Sequence, residues 1–205
     1  MKLFYAPGAC SLGIHVLLEE IGKPYEASPL KLMEGAQFKP EFTAINPKSK
    51  VPTLVRDDGS VLTEYPAIAF WLAVSNPEAK LLPAAPDAQA KALEYTDYCV
   101  STMHMQGFSR IFRPANYAPS EADHEAVKAK GEEMFSKGFG VMDQVLGDKD
   151  YLLGQYSFAD SALFYVSFWW NGRLKKDLPP KVAAHYARMN ARPAVQRTMA
   201  AEGLA

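Results

Sequence analysis

A Val-Pro step separates a polar loop from an apolar run in residues 46–54, which read NPKSKVPTL. Proline donates no backbone N–H to a sheet, so a strand beginning at Pro52 is unusual unless the preceding peptide bond is cis. A cis Val51–Pro52 bond would turn the N–H and C=O of Val51 outward, where both can pair with an extended ligand. The segment therefore predicts a strand that also serves as a binding edge.

Composition limits the classes of protein to which the chain can belong. It has 205 residues, 48% of them hydrophobic, which suffices for a soluble globular protein with a substantial core. A formal net charge of −1 predicts no nucleic-acid partner and no anionic membrane surface. The longest apolar run, residues 161–170, is shorter than the roughly 20 residues that cross a bilayer. With no signal-peptide pattern before Pro7, we expect a cytoplasmic protein without a membrane partner.

Strand and helix patterns alternate over the first 76 residues. Strands are expected at residues 2–5, 25–30, 53–55 and 60–62, and helices at 11–21 and 66–74. Ser11 can cap the first helix, and Gly22 ends it. The turn Asp57-Asp58-Gly59 connects the last two strands as a hairpin. With a short helix in the loop that precedes this hairpin, the order is β-α-β-α-β-β-α.

A proline-rich connector at residues 81–86 precedes a region with helical patterns alone. Helices are expected at residues 87–112, 121–146, after Ser157, 179–192 and 193–199. Ser157 with Asp160 three residues later has the form of a capping box. The predicted fold class is an α/β N-terminal domain followed by an all-α C-terminal domain.

Cys10 follows a strand end and begins a helix. A helix N-terminus stabilises an anion, so this position predicts a thiol with a lowered pKa. The alternative is a small buried hydrophobic residue, as most free cysteines are. Gly13 excludes a Cys-x-x-Cys motif, and Cys99 lies within an apolar helix as a structural residue. The sequence has neither a disulfide framework nor a metal-binding Cys/His spacing, so no metal is expected.

Several short motifs in this order resemble the bacterial beta class of the cytosolic glutathione S-transferases. They are YAPGACS at 5–11, NP…VP at 46–52, LTE at 62–64, Ser157-x-x-Asp160 and Arg192-Pro193. The resemblance covers essentially the whole chain. It implies the glutathione transferase fold, with a thioredoxin-like glutathione-binding domain at 1–78 and an all-helical domain at 87–205 that contributes the electrophile pocket. It also implies a detoxifying homodimer that joins the glutathione thiol to a small hydrophobic electrophile or exchanges it with a disulfide.

The resemblance assigns glutathione-binding roles to one part of the first domain. The backbone of Val51, before the cis Pro52, would pair with the cysteinyl unit, and Glu64 would accept the γ-glutamyl ammonium. The N–H of Tyr65, at a helix N-terminus, would meet the γ-glutamyl carboxylate. Lys50 would neutralise the other carboxylate, unless it is simply a solvated loop lysine. The tyrosine side chain departs from the family pattern and would either crowd this pocket or lend it a hydroxyl.

Catalytic candidates follow from the same resemblance. Cys10 would form a mixed disulfide with glutathione, Ser11 is the substitute thiolate donor, and the hydroxyl of Tyr5 would also donate to a thiolate. Candidates that lie near the thiol or reach across a dimer are Asp97, Ser101 and His104, although a lone histidine is more often a core or surface residue. Candidates for the electrophile pocket are Phe108, Phe112, Arg113, Asn116 and Trp169, although an aromatic cluster is more often core.

Two other functions remain open from the sequence. One is a different glutathione-dependent enzyme on the same fold, such as an isomerase, a dehalogenase or a thiol-transferase with peroxidase activity. The other is a non-enzymatic interaction or regulatory module. The retention of Cys10, Val51-Pro52 and Glu64 argues against the second, because a purely structural descendant does not need an ammonium-binding acid beside a cis proline.

Overall fold

The computed structural model describes residues 1–205 and contains two compact units. One unit comprises Met1–Pro83 with Arg188–Ala205, and the other comprises Ala84–Ala187. The boundaries 1–78 and 87–205 stay a prediction for the domains. In the structure, the C-terminal segment from Arg188 packs with the first unit, a partition that the helical pattern of this segment does not reveal.

The first unit has the predicted β-α-β-α-β-β-α order. Its elements are β1 (Lys2–Tyr5), α1 (Ser11–Ile21), β2 (Glu26–Pro29), α2 (Pro40–Thr43), β3 (Thr53–Val55), β4 (Val61–Thr63) and α3 (Tyr65–Ser75). Two short 3₁₀ turns, Leu32–Glu34 and Ala36–Phe38, connect β2 to α2. The C-terminal helix α9 (Pro193–Ala201) completes this unit.

The four strands form one mixed sheet in the order β2-β1-β3-β4. Strand β1 pairs in parallel with β2 and antiparallel with β3, and β3 pairs antiparallel with β4. The predicted hairpin is confirmed, with Leu54 opposite Leu62. This order brings the end of β1, where Cys10 follows, close to the start of β3, where the Val51–Pro52 bond lies.

Helix α1 supplies the core of the first unit. Its apolar residues Leu12, Ile14, Val16 and Leu17 are completely buried. It contacts β1, α3 and the C-terminal helix α9. Gly22 ends it in the left-handed conformation, as expected, with φ of 71°. Two ion pairs, Glu20 with Arg192 and Glu19 with Arg197, join α1 to the C-terminal segment.

The second unit is entirely helical. Its elements are α4 (Pro86–Asp97), α5 (Ser109–Phe112), α6 (His124–Leu146), α7 (Phe158–Ser167) and most of α8 (Pro180–Asn190). The chain from α4 to α5 stays helical through Tyr98–Phe108 with π-type hydrogen bonding, and α7 continues in the same way through Phe168–Arg173. The predicted long helix at 87–112 is therefore confirmed, with a widened middle. None of the helices combines the length and apolarity needed to span a membrane.

The capping box at the start of α7 is confirmed. The Asp160 carboxylate accepts hydrogen bonds from the backbone N–H and hydroxyl of Ser157. It also accepts the N–H of Leu152 and lies 3.0 Å from Nε2 of His185. All the residues of α7 are buried, as the apolar pattern predicted. Asp160 thus connects the start of the central helix to both a preceding loop and α8.

Candidate functional site

The turn between β1 and α1 holds Cys10 at the N-terminal cap position of the helix. Ala9 and Leu12 close the turn through their N–H groups, which donate to the carbonyls of Ala6 and Ala9. The Sγ atom of Cys10 lies 3.3 Å from the carbonyl oxygen of Val51, to which its S–H donates. The thiol and the cis-proline loop are therefore adjacent within the first unit.

Ser11 does not cap α1, contrary to the sequence-based expectation. The cap position belongs to Cys10, and no side chain there bonds to the helix. Ser11 is fully buried, and its Oγ accepts the N–H of Ala6 at 3.1 Å and lies 3.4 Å from the carbonyl oxygen of the same residue. The residue therefore stabilises the turn that presents Cys10.

The prediction of a lowered thiol pKa at Cys10 is wrong for this structure. Burial raises the pKa of the Cys10 thiol to about 12. The backbone N–H groups of Ser11 and Cys10 and the charge of Lys50 act in the opposite direction, while Glu64 adds to the increase. Cys10 as a residue is half-buried, but the desolvation of its thiol outweighs the effect of the helix N-terminus, so the thiol is protonated at neutral pH.

Alkylation of Cys10 by iodoacetamide should therefore be slow and steeply dependent on pH. With a pKa of about 12, we expect the rate to rise about tenfold per pH unit from pH 7 to 10, whereas an ordinary thiol levels off near ~8.5. Mass spectrometry of the intact protein measures this rate, and Cys10→Ala gives the contribution of the buried Cys99. A rate that levels off below pH 8 would show a stabilised thiolate instead.

The loop before β3 is organised by Asn46. Its side-chain amide donates to the carbonyl of Lys50 and to Oγ1 of Thr53, and its Oδ1 accepts the N–H of Lys48. The Val51–Pro52 peptide bond is cis, as the sequence predicted. Asn46 is 1% exposed, so these hydrogen bonds are shielded from water. The loop thereby fixes the position of the Val51 backbone beside Cys10.

Glu64 immediately precedes α3 in an unusual backbone conformation. Its φ is 68° and its ψ is 125°, outside the region that a non-glycine residue ordinarily occupies. Its carboxylate is exposed and lies 2.7 Å from Nζ of Lys48, which also donates to Oγ1 of Thr63. Lys48 thus forms an ion pair with the carboxylate that we expect to bind the ammonium of glutathione.

Two further candidates, Lys50 and Tyr65, are the chain neighbours of Val51 and Glu64. Lys50 is exposed on the loop, and its charge acts on Cys10. Tyr65 is the first residue of α3 and is 3% exposed, so its side chain belongs to the core rather than to the surface. Pro66 follows it near the helix start, where a missing N–H costs nothing.

A buried carboxylate that the sequence did not indicate stabilises the Cys10 turn. Oε2 of Glu202 accepts the N–H of Gly8 at 2.7 Å, and its Oε1 lies 2.8 Å from Nδ1 of His15. His15 is 1% exposed and packs against the ring of Tyr5, with 5.0 Å between ring centroids and 53° between the ring planes. Burial and, to a smaller extent, the charge of Glu202 raise the pKa of Tyr5. The hydroxyl of Tyr5 is therefore a poor acid, although it stays a candidate donor.

The candidates of the helical unit form two groups. Ser101 donates to the carbonyl and to Oδ2 of Asp97 on the exposed side of the long helix. A row of aromatic rings lies elsewhere in this unit. Phe108 stacks on Trp169 at 4.2 Å and on Phe112 at 5.7 Å between centroids, and His104 meets the ring of Trp169 edge-on at 4.6 Å.

The row of aromatic rings extends from the interior of the helical unit to its surface. Trp169 is buried, whereas Phe112 is 53% exposed. His104 also lies 3.5 Å from the hydroxyl of Tyr165. Arg113 and Asn116 are exposed, and the guanidinium of Arg113 lies 5.8 Å from the Phe112 ring. The rings proposed for the electrophile pocket are therefore gathered together, while the pocket itself stays a prediction.

The sequence did not predict the roles of four residues near the site, which are Asn46, Lys48, His15 and Glu202. A histidine among the buried apolar residues of α1 was a usable signal, since a buried polar group requires a partner. Asn46 lay inside the motif that carried the resemblance. Glu202 gave no local signal, because its partners are about 190 residues away along the chain.

Comparisons with known proteins identify the family of the chain. Residues 8–74 match the glutathione S-transferase N-terminal domain, and residues 100–193 match the C-terminal domain. Glutathione S-transferase GstA of Escherichia coli O157:H7 is 36% identical over 208 residues, covering all of both chains.

Two solved structures are similar along the whole chain. A bacterial beta-class glutathione S-transferase of Sphingomonas chungbukensis is 31% identical, with full coverage of both chains and a TM-score of 0.86. A glutathione transferase homologue from Sulfitobacter, solved with bound glutathione, is 29% identical, with a TM-score of 0.91 and coverage of 100% of this chain and 98% of that one. The chain therefore belongs to the glutathione S-transferase family and is a transferase enzyme.

Proposed function

We propose that the protein is a beta-class glutathione transferase that joins the glutathione thiol to small hydrophobic electrophiles. We further propose that it acts as a cytoplasmic homodimer in detoxification. One observation carries the assignment of the site. The Val51 carbonyl lies beside Cys10, and the Glu64 carboxylate at the start of α3 pairs with Lys48 of the loop that holds Val51. These are the acceptors required by the cysteinyl amide and the α-ammonium of glutathione.

Backbone N–H groups and one lysine side chain bind the rest of the tripeptide. The α-carboxylate of the γ-glutamyl unit meets the N–H of Tyr65 at the N-terminus of α3, where the helix dipole favours an anion. Lys50 neutralises the glycyl carboxylate. The cysteinyl sulfur then lies near the N-terminus of α1, whose N–H groups stabilise the thiolate of the ligand.

Conjugation needs little further chemistry from the protein. The glutathione thiol loses its proton to solvent, and the thiolate attacks an electrophilic carbon. The leaving group departs with its bonding electrons. Holding both reactants together supplies much of the acceleration. The aromatic row of Phe108, Phe112 and Trp169 is suited to an apolar electrophile, with Arg113 and Asn116 at its exposed end.

Glu64→Ala should weaken glutathione binding more than it affects folding. A hydrogen bond between charged groups contributes about 1.5–3 kcal/mol, so we expect the Kd to rise about 10- to 100-fold. Isothermal titration with S-methylglutathione measures this Kd, and Glu26→Ala, which removes an exposed carboxylate of β2, is the matched control. Equal affinity for Glu64→Ala and wild type would remove Glu64 from the site.

Thiol–disulfide exchange is a second candidate activity, favoured by the position of Cys10 beside Val51. The Cys10 thiolate would attack one sulfur of oxidised glutathione, forming a mixed disulfide and releasing glutathione thiolate. Since burial keeps Cys10 protonated, this route should be slow and conjugation should dominate. A role for Asp97 and Ser101 of one subunit at the site of the other belongs to the same proposal of a homodimer.

The two activities are separated by one variant. Cys10→Ser should keep conjugating activity toward a chlorodinitrobenzene within about threefold of wild type, since the attacking thiolate belongs to glutathione. Incubation with oxidised glutathione should add one glutathione to wild type, detected by intact mass, and none to Cys10→Ser. Loss of conjugation in Cys10→Ser would make Cys10 part of the transferase mechanism.

A further inference from the structure

The carboxylate of Glu64 already has a cationic partner in this structure. Nζ of Lys48 lies 2.7 Å from Oε1 of Glu64 and 2.9 Å from Oγ1 of Thr63. Both charged side chains are exposed, Lys48 by 52% and Glu64 by 61%. The pair is therefore labile, because exposed ion pairs gain little energy and their side chains move freely.

The backbone directs Lys48 toward Glu64. Oδ1 of the buried Asn46 accepts the N–H of Lys48, and Ser49 follows with a positive φ of 55°. The contact with Thr63 holds the ammonium at the end of β4, one residue before Glu64. Asn46 also positions Lys50 and Thr53, so the loop that presents Val51 presents Lys48 as well.

We propose that Lys48 competes with the α-ammonium of glutathione for Glu64 and thereby lowers the affinity of the site for glutathione. This inference rests on the proposed function, which places that ammonium at Glu64. The side chain of lysine and the γ-glutamyl unit both present a primary ammonium on a flexible chain. One ammonium must leave the contact at Glu64 before the other can occupy the same position, so binding exchanges one ion pair for another.

For the removal of Lys48, competition and net charge predict opposite changes in glutathione affinity. Glutathione is an anion overall, so the loss of a nearby lysine would ordinarily weaken its binding. If Lys48 competes, its removal frees Glu64 and strengthens binding. An exposed ion pair contributes little, so the expected gain for Lys48→Met is about two- to fivefold in affinity at low ionic strength.

Isothermal titration of four proteins and one control variant tests the competition. The four proteins are wild type, Lys48→Met, Glu64→Gln and the double variant, each titrated with S-methylglutathione, which cannot form a disulfide. Lys39→Met, which removes an exposed lysine just before α2, is the matched control for the loss of one positive charge. A second ligand, in which glutaryl replaces γ-glutamyl, lacks only the ammonium.

Competition predicts tighter binding for Lys48→Met with S-methylglutathione and for no other pair of variant and ligand. Lys48→Met should bind S-methylglutathione about two- to fivefold more tightly than wild type, while Lys39→Met does not. The gain should vanish in the Glu64→Gln background and with the glutaryl ligand. Unchanged or weaker binding by Lys48→Met, or a gain that persists without Glu64 or without the ammonium, would overturn the proposal.

The same titrations separate this proposal from the proposed function. If wild type binds S-methylglutathione and Glu64→Gln binds it more weakly, the proposed glutathione site is supported, whatever the affinity of Lys48→Met. A failure confined to the Lys48 comparison then overturns the competition alone. Absence of binding by wild type would overturn the proposed site and the competition together.

Discussion

Asp160→Ala should lower the free energy of unfolding by at least about 4 kcal/mol. The carboxylate is completely buried and is hydrogen-bonded to the N–H groups of Leu152 and Ser157, the hydroxyl of Ser157 and the ring of His185. Each buried donor left without its partner costs about 1–3 kcal/mol. Loss of the capping box adds to this cost at the start of the central helix α7.

Chemical denaturation followed by circular dichroism measures the effect. The matched control is Asp148→Ala, which removes a fully exposed carboxylate paired with Lys181 and should leave the midpoint almost unchanged. Asp160→Asn should fall between Asp160→Ala and wild type, because an amide keeps one acceptor oxygen. A midpoint for Asp160→Ala equal to that of Asp148→Ala would contradict the central role of this carboxylate.

Glu202→Ala should lower the free energy of unfolding by about 3 kcal/mol. Glu202 lies near the C-terminus, whereas the residues that it contacts lie near the N-terminus. Its carboxylate is buried between the N–H of Gly8 and the ring of His15. Removal takes this acceptor from both donors, at about 1–3 kcal/mol each. Gly8 lies two residues before Cys10, so the turn that presents the thiol loses its anchor to the C-terminal segment.

The same denaturation assay measures this loss, with Glu78→Ala as the control. Glu78 pairs with Lys23 on the surface, and the exposed pair should contribute little. Hydrogen exchange adds a local measurement, because the N–H of Gly8 should lose protection in Glu202→Ala and keep it in Glu78→Ala. Unchanged stability together with unchanged exchange would show that the Glu202 contacts are unimportant.

The first unit was largely predictable because its signals are local. Gly22 ends α1, the Asp57-Asp58-Gly59 turn closes the hairpin, and the Val51–Pro52 bond is cis, each as expected. Ser157 and Asp160 form the expected capping box for the same reason. Turn chemistry and capping depend on residues a few positions apart, so a sequence read by itself contains them.

Features that depend on distant packing were missed or wrong. The helix N-terminus at Cys10 is visible in the sequence, but the burial that raises its thiol pKa is created by tertiary structure. The capping role expected for Ser11 failed because its hydroxyl bonds Ala6 in the preceding turn. Glu202 contacts Gly8 and His15 only because α9 packs against α1. Lys48 was overlooked although it lies inside the motif, since its partner comes 16 residues later.

A crystal structure of the complex with S-methylglutathione would locate every group of the ligand at once. We expect the α-ammonium at hydrogen-bond distance from the Glu64 carboxylate, the cysteinyl amide paired with Val51, and Lys48 withdrawn from Glu64. The ligand sulfur should lie near the N-terminus of α1, beside Cys10. A ligand bound elsewhere, or bound here with its ammonium away from Glu64, would show that Glu64 and Val51 do not form the glutathione site.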